Sequence, residues 1–346
     1  MKFNRIEKSN GLLTSAFLIT SVCISTPLNA DVLAGTYYSA EQQKQDQINA
    51  CLASSVVSAD AGQTVSQLRE ACNKDPKGAV DRRMALEKSV ENNPFAIIPY
   101  RPNYILPVSY SSGSKAPYSD IVDEHEFDNL EVKFQVSLKY NVFEDTLIDG
   151  LDMQVAFTAQ SWWQAYNEDS SSPFRETNYE PELIFYYSKP WVLMGVPVTV
   201  SSISFNHESN GKSDNLSRSW NRIIGGLVFD QDTIVWALHA WWRLPEDAKS
   251  EQKSSRGDDN PDIEEYLGYG DVTGVWTLPN NHNFEFMLRN NLRSDNKGAI
   301  ELGWTFPLSK HLFGYVQYFN GYGESLIYYN HSTSRVGIGF KLTDWL

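Results

Sequence analysis

A histidine and a serine two residues apart, His207 and Ser209, head the run His207-Glu-Ser-Asn-Gly-Lys-Ser-Asp214, and Asn221 follows a short polar stretch later. These residue types can carry out nucleophilic acyl chemistry. The histidine takes the serine hydroxyl proton as general base and returns it to the leaving group. An asparagine that accepts from the other ring nitrogen fixes the tautomer. Being neutral, it orients the imidazole without much electrostatic support for its charged form, and it costs less beside lipid than a carboxylate does. Backbone N–H groups near Gly211, and a nearby cation, are available to stabilise an oxyanion. Taken singly, each residue also has an ordinary reading. Asn210-Gly211 is a turn signal, and Lys212 and Asp214 suit a solvated loop.

Parity brings the three together. Side chains alternate along a strand, so His207 and Ser209 share a face with apolar Ile203 and Phe205. Beyond the loop, Asn221 shares parity with apolar Ile223, Leu227 and Phe229. The polar set therefore projects from the apolar side of two neighbouring strands. Unpaired polar groups are costly in lipid. A Ser-His-Asn set bonded to itself offsets that cost.

The elements that must position this set read as a β-barrel. Val132, Phe134, Val136, Leu138 and Tyr140 alternate with Lys133, Gln135, Ser137 and Lys139. The same period runs through Met153–Phe157, Ile234–Trp242, Phe284–Leu288, Ile300–Phe306 and Val336–Leu342. About twelve such segments follow residue 100, an even number as bacterial barrels have. Tight turns at 230–232, 279–281 and 307–310 alternate with polar loops near 112–130, 166–177, 209–218 and 244–263. A sandwich gives no reason for that alternation, whereas an outer-membrane barrel puts short turns on the periplasmic side and long loops outside. The expected fold is all-β: a twelve-stranded antiparallel transmembrane β-barrel with both termini periplasmic.

The N-terminus reads as an export signal over residues 1–30. Lys2, Arg5 and Lys8 precede an apolar run from Gly11 to Ile24, and Ala30 offers a cleavage site before Asp31. Removing it takes three basic residues and one acidic residue from a net charge of −14, leaving about −16, which argues against nucleic acid as a partner. No later stretch is long and apolar enough for a spanning helix. A mean hydropathy of −0.40 does not exclude the membrane, because barrel strands carry polar residues on their inner face. Aromatics at 13% fit interfacial girdles. Residues 31–92, with the Gln-rich stretch 41–51, read as a short helical periplasmic extension. Cys51 and Cys72 are expected to pair there in an oxidising compartment. The barrel then occupies residues 93–346.

The run from His207 to Asp214, with Ser217-Arg-Ser-Trp-Asn221-Arg222, resembles the active-site segment of the outer membrane phospholipase A family. Ser161-Trp-Trp-Gln164 and Ser171-Ser-Pro-Phe-Arg-Glu-Thr-Asn-Tyr-Glu-Pro181 are similar to it as well. Asn93-Pro-Phe95, Asn103-Tyr104 and Tyr322-Gly-Glu-Ser-Leu326 extend the likeness over roughly residues 93–346. The resemblance implies a twelve-stranded barrel, active as a calcium-dependent homodimer, that hydrolyses acyl esters of phospholipids and lysophospholipids in the cell outer membrane. It implies Ser209 as nucleophile, His207 as base, Asn221 as the orienting residue and Gly211 as the oxyanion-hole donor. It also implies calcium held by the Lys212 carbonyl, by Ser217, and by the Ser171 carbonyl of a second copy.

Two departures stand out. Lys212 occupies a position where the family usually has arginine, and the chain ends Trp345-Leu346 instead of in the usual phenylalanine. A set on the outer wall has no closed pocket, so a second barrel alongside is expected to form the acyl groove and switch activity on. The residues by themselves leave other readings open. One is a passive pore or structural barrel whose narrow lumen is filled by inward groups such as Lys133, Lys139, Glu208 and Glu285. Another is a barrel that binds a periplasmic partner through residues 31–92.

Overall fold

The computed structural model describes Asn49, Leu52, Val56 and residues 64–72, 78–90, 97–112, 127–143, 148–169, 171–231, 233–249, 257–309 and 312–343. The export signal, nearly all of the stretch 41–51 and the Cys51–Cys72 pairing lie outside the described residues. The helices described ahead of the barrel include α1 (Val65–Cys72) and α2 (Ala79–Val90).

Twelve strands form the barrel. They are β1 (Asn103–Ser111), β2 (Leu130–Phe143), β3 (Leu151–Trp163), β4 (Phe174–Tyr187), β5 (Val200–Ser209) and β6 (Ser219–Gln231). The second half comprises β7 (Ile234–Arg243), β8 (Gly270–Leu278), β9 (His282–Asn290), β10 (Gly298–Pro307), β11 (Phe313–Tyr322) and β12 (Ser332–Thr343). Each pairs antiparallel with the next, and β12 pairs back onto β1, which closes the sheet. Closure removes every edge, the condition for strands to span a bilayer with their backbone groups satisfied. No described helix is long and apolar enough to cross a membrane.

The period of two sorts the side chains as the sequence requires. On β2, Val136, Leu138 and Tyr140 point out and are exposed, while Lys133, Ser137 and Lys139 point in and are buried. The buried charges pair across the lumen. Arg175 and Arg335 lie 2.7 and 2.6 Å from Glu131, Lys341 bonds Glu285, and Arg222 lies 2.9 Å from Glu208. Lys139 meets Glu87 of α2 at 2.8 Å, and the Val80 N–H of the same helix donates to Asp230 at 2.9 Å. Helix α2 is thereby held against the rim that carries the short turns.

Those turns are 232–233, 279–281 and 308–312. The connections 144–150 and 188–199 are at the same rim, the latter with a small hairpin of Trp191–Leu193 and Val196–Val198. The opposite rim carries the described residues 112, 127–129, 164–169, 171–173, 210–218, 244–249, 257–269, 291–297 and 323–331. One expected loop needs correction: 166–177 ends earlier, because Phe174 already pairs with Trp163 and Glu176 with Trp162. Arg175 and Glu176 look loop-like by polarity, but they are buried in the barrel mouth, where polar residues find partners. Loop 323–331, not anticipated, folds its apolar residues Leu326, Ile327 and Tyr328 into that mouth.

Candidate active site

The β5–β6 ladder sets the site. His207 pairs directly with Asn221, Glu208 with Trp220, and Ser209 with Ser219. Ile203 and Phe205 are 54% and 48% exposed on the outer wall, while Ser204 and Asn206 are 5% and 3% exposed on the lumen side. His207, Ser209 and Asn221 therefore face outward, as parity predicts.

The lumen face behind them locks the register. Arg222 donates to Asn206 Oδ1 at 2.7 Å and to Glu208 at 2.9 Å, and it stacks 3.9 Å over the Trp220 ring. Trp220 is fully buried and donates its Nε1–H to Glu208 at 2.9 Å. A one-residue slip would break these bonds and turn the outer set inward.

Across the rung, His207 Nδ1 lies 2.8 Å from Asn221 Oδ1. An amide oxygen only accepts, so Nδ1 donates, and in the neutral imidazole this leaves the lone pair on Nε2. The structure orders this half of the set. The Ser209 hydroxyl makes no hydrogen bond among the described residues, and catalytic contacts of this kind often tighten only with substrate bound.

The 210–218 loop is pinned by Asn210. Its buried side chain donates to the Leu216 carbonyl at 2.8 Å and accepts from the Arg218 N–H at 2.9 Å. Gly211 has φ +64, a left-handed conformation that favours glycine, and a Cβ there would meet the Tyr179 ring at 3.2 Å. Lys212 reaches across to the Arg175 carbonyl at 2.5 Å and to Glu176 at 3.5 Å, linking this loop to the start of β4. Burial lowers the Lys212 ammonium from its usual range, and Glu176 opposes that. Ser171 lies exposed on the neighbouring loop with φ +59.

Two acidic partners were not legible in the sequence. Asp259, from the long 244–269 connection, accepts from Ser217 at 2.7 Å and from Ser219 at 3.2 Å, and it is ion-paired to Lys249. Glu246, from the same connection, accepts from Asn221 Nδ2 at 3.0 Å. Both sit in a polar stretch with no periodic signal to distinguish them from solvated charge.

The profile of the family described as Phospholipase A1 matches residues 80–342. The chain belongs to the phospholipase A1 family. It is 33% identical over 277 residues to Phospholipase A1 of Escherichia coli strain K12, covering 78% of this chain and 88% of that one. Against Phospholipase A1 of Klebsiella pneumoniae the identity is 34% over 258 residues, covering 73% and 84%. Among solved structures, outer membrane phospholipase A from Escherichia coli aligns with a TM-score of 0.65 at 33% identity, over 73% of this chain and 100% of that one. An active-site mutant of that protein, with asparagine changed to alanine, aligns with the same TM-score at 32% identity, over 74% and 95%. The Salmonella typhi outer membrane phospholipase dimer with bound calcium aligns with a TM-score of 0.65 at 34% identity, over 73% and 94%. As a closed barrel of the phospholipase A1 family, the chain is a Gram-negative outer-membrane protein. The family match begins inside α2, so that helix belongs to the matched segment together with the barrel.

Proposed function

We propose that this protein hydrolyses acyl ester bonds of phospholipids and lysophospholipids with a Ser209–His207–Asn221 triad, as a calcium-dependent homodimer. The observation that carries the reading is the outward-facing His207–Asn221 hydrogen bond one turn of pleat from Ser209, in a chain of this family. An asparagine in the active site of the Escherichia coli relative supports the third member.

His207 Nε2 takes the proton as Ser209 Oγ attacks the ester carbonyl, and an acyl-enzyme forms as His207 protonates the departing alcohol. Water then attacks the acyl-enzyme with His207 again as base. The Gly211 N–H stabilises the oxyanion, its direction set by the left-handed turn.

The donor set beside Ser217 fits a calcium ion. The Ser217 hydroxyl, the Lys212 carbonyl and the Asp259 carboxylate are hard oxygens of the kind calcium takes. Lys212, Ser217 and the Ser171 carbonyl of a second copy would hold it, and Asp259, itself ion-paired to Lys249, lies beside Ser217. When bound, the ion adds positive charge near the developing oxyanion. The Salmonella typhi relative, a dimer with bound calcium, supports both the ion and the pairing.

The outer wall beside the triad carries exposed Phe157, Tyr179, Ile203 and Phe205. A second barrel against this wall makes a groove, which is why the dimer is the active form. The ion pairs that cross the lumen favour a hydrolase over an open pore. Residues 1–30 are assigned as the export signal and 31–92 as a periplasmic extension. Sequencing the mature N-terminus is expected to give Asp31 first.

The deciding experiment is fatty-acid release from phospholipid by the refolded protein in micelles, with calcium or with EDTA, beside Ser209→Ala. Release that needs calcium and vanishes in the variant is expected. Release that persists in Ser209→Ala would refute the triad, and an equally active protein that cross-linking shows to be monomeric would refute the dimer.

A further inference from the structure

The Asn221 amide has two orientations of similar shape, and only one of them serves catalysis. With Oδ1 toward His207, the ring proton sits on Nδ1 and Nε2 is a base. With Nδ2 toward His207, the opposite tautomer is selected and Nε2 carries the proton, leaving nothing to accept from Ser209. In a triad whose third member is aspartate the choice does not arise, because both carboxylate oxygens accept. An asparagine needs something else to choose for it.

Asn221 Nδ2 donates to Glu246 Oε1 at 3.0 Å, on the far side of the amide from His207. A carboxylate has no hydrogen to give, so only the NH2 end of the amide can face it. We infer that Glu246 is a positioning residue for this reaction, holding the Asn221 amide in the orientation that keeps His207 a base. The inference rests on the triad reading given above. The carboxylate also restores, two hydrogen bonds away, the negative charge that a neutral asparagine withholds from the imidazolium.

The backbone places Glu246 for this task. The Leu244 N–H donates to the Asn221 carbonyl at 2.8 Å, which extends the β6–β7 ladder one rung past Arg222 and Arg243. Glu246 shares parity with Leu244 and so returns to the outer side, beside Asn221. Its segment is tied down where Ala248 bridges Asp258 and the Asp258 N–H donates to the Asp247 carbonyl at 2.8 Å. Gly257, with φ +104, permits that approach, since a Cβ there would meet the Asp247 carbonyl at 2.9 Å. Glu246 makes no other hydrogen bond or ion pair among the described residues, so its carboxylate is committed to Asn221.

The test compares Glu246→Ala and Glu246→Gln with wild type and Ser209→Ala, all as refolded full-length chains in micelles. Two readings are taken: kcat and KM for phospholipid, and the imidazole nitrogen shifts of His207. Glu246→Ala is expected to lower kcat roughly tenfold with KM unchanged. It is also expected to convert His207 from one tautomer to a mixture. Glu246→Gln keeps an acceptor oxygen but loses the charge, so its kcat should fall between the two. It also serves as the near-isosteric control if the alanine variant does not fold. Wild-type kcat, or an unchanged His207 spectrum, in both Glu246 variants overturns the role of Glu246 while Ser209→Ala remains inactive. An active Ser209→Ala would instead overturn the triad itself.

Discussion

Asn221 Oδ1 stands 2.8 Å from His207 Nδ1 across a directly paired rung of the β5–β6 ladder, on the outside of the barrel. That contact sets the position of the ring and, with Glu246 holding the amide, its tautomer. Asn221→Ala is therefore expected to lower hydrolysis by about 10- to 100-fold, and His207→Ala to abolish it. The fold is checked by heat-modified gel mobility. Asn221→Ala at wild-type activity would show that the rung is only structural.

Gly211 is strained for any other residue. Alanine at φ +64 costs about 1–2 kcal/mol, and its methyl would press on the Tyr179 ring at 3.2 Å. Gly211→Ala should lower kcat at least about tenfold by re-aiming the backbone N–H. Adding Tyr179→Ala relieves the contact but not the dihedral, so the double variant should stay slow. Full recovery in the double variant would assign the defect to the ring alone.

Ser217→Ala removes one proposed calcium oxygen and leaves Asp259 without a donor it now accepts from at 2.7 Å. The calcium concentration for half-maximal activity is expected to rise roughly tenfold, with activity at saturating calcium largely retained. An unshifted titration would take Ser217 out of the ligand set.

Acid should loosen the outer mouth. Burial alone would raise the Glu324 carboxyl, but Arg335, with Lys133 and Arg175, overcomes it and holds the group down to about 2. A carboxyl depressed on folding contributes stability that is present above its unfolded value and lost as pH falls through the folded one. The loss should thus fall between about pH 4.5 and 2, amounting to roughly 3 kcal/mol. Unfolding in urea across that range, with Glu324→Gln beside wild type, tests this. A wild-type curve as flat as the variant's would contradict it.

The paired charges at the same mouth make a second stability prediction. Arg175 and Glu131 are both fully buried and 2.7 Å apart, and Arg335 shares the same carboxylate at 2.6 Å. Removing the shared acid by Glu131→Ala takes the carboxylate from Arg175 and leaves Arg335 with Glu324, and should destabilise the barrel by about 3–5 kcal/mol. Urea midpoints at constant slope would measure it, and a shift below about 1 kcal/mol would show that water replaces the acid.

Much of this was legible in the sequence because a barrel wall obeys one rule. The alternation of Val132 to Tyr140 marks β2 and both of its faces, and the same parity turns His207, Ser209 and Asn221 outward. Polarity failed where it had two meanings. Arg175 and Glu176 were read as loop, yet they are lumen residues, since a polar residue is at home in either place. Glu246 and Asp259 were missed because they come from an irregular connection. The approach to Asn221 and Ser217 is made by backbone turns that leave no period behind. The resemblance supplied the roles of Ser171, Lys212 and Ser217, none of which composition or spacing singles out.

The outward placement of the proposed triad changes what concentration means for this protein. On that reading the substrate reaches the wall within the bilayer plane, without passing through bulk water. The quantity that governs turnover is then the fraction of neighbouring molecules that are phospholipid. Diluting that surface with inert amphiphile should slow the reaction even when the total phospholipid in the tube stays constant. A cell that keeps its outer leaflet free of phospholipid would hold such a protein idle, with no need for a dedicated inhibitor.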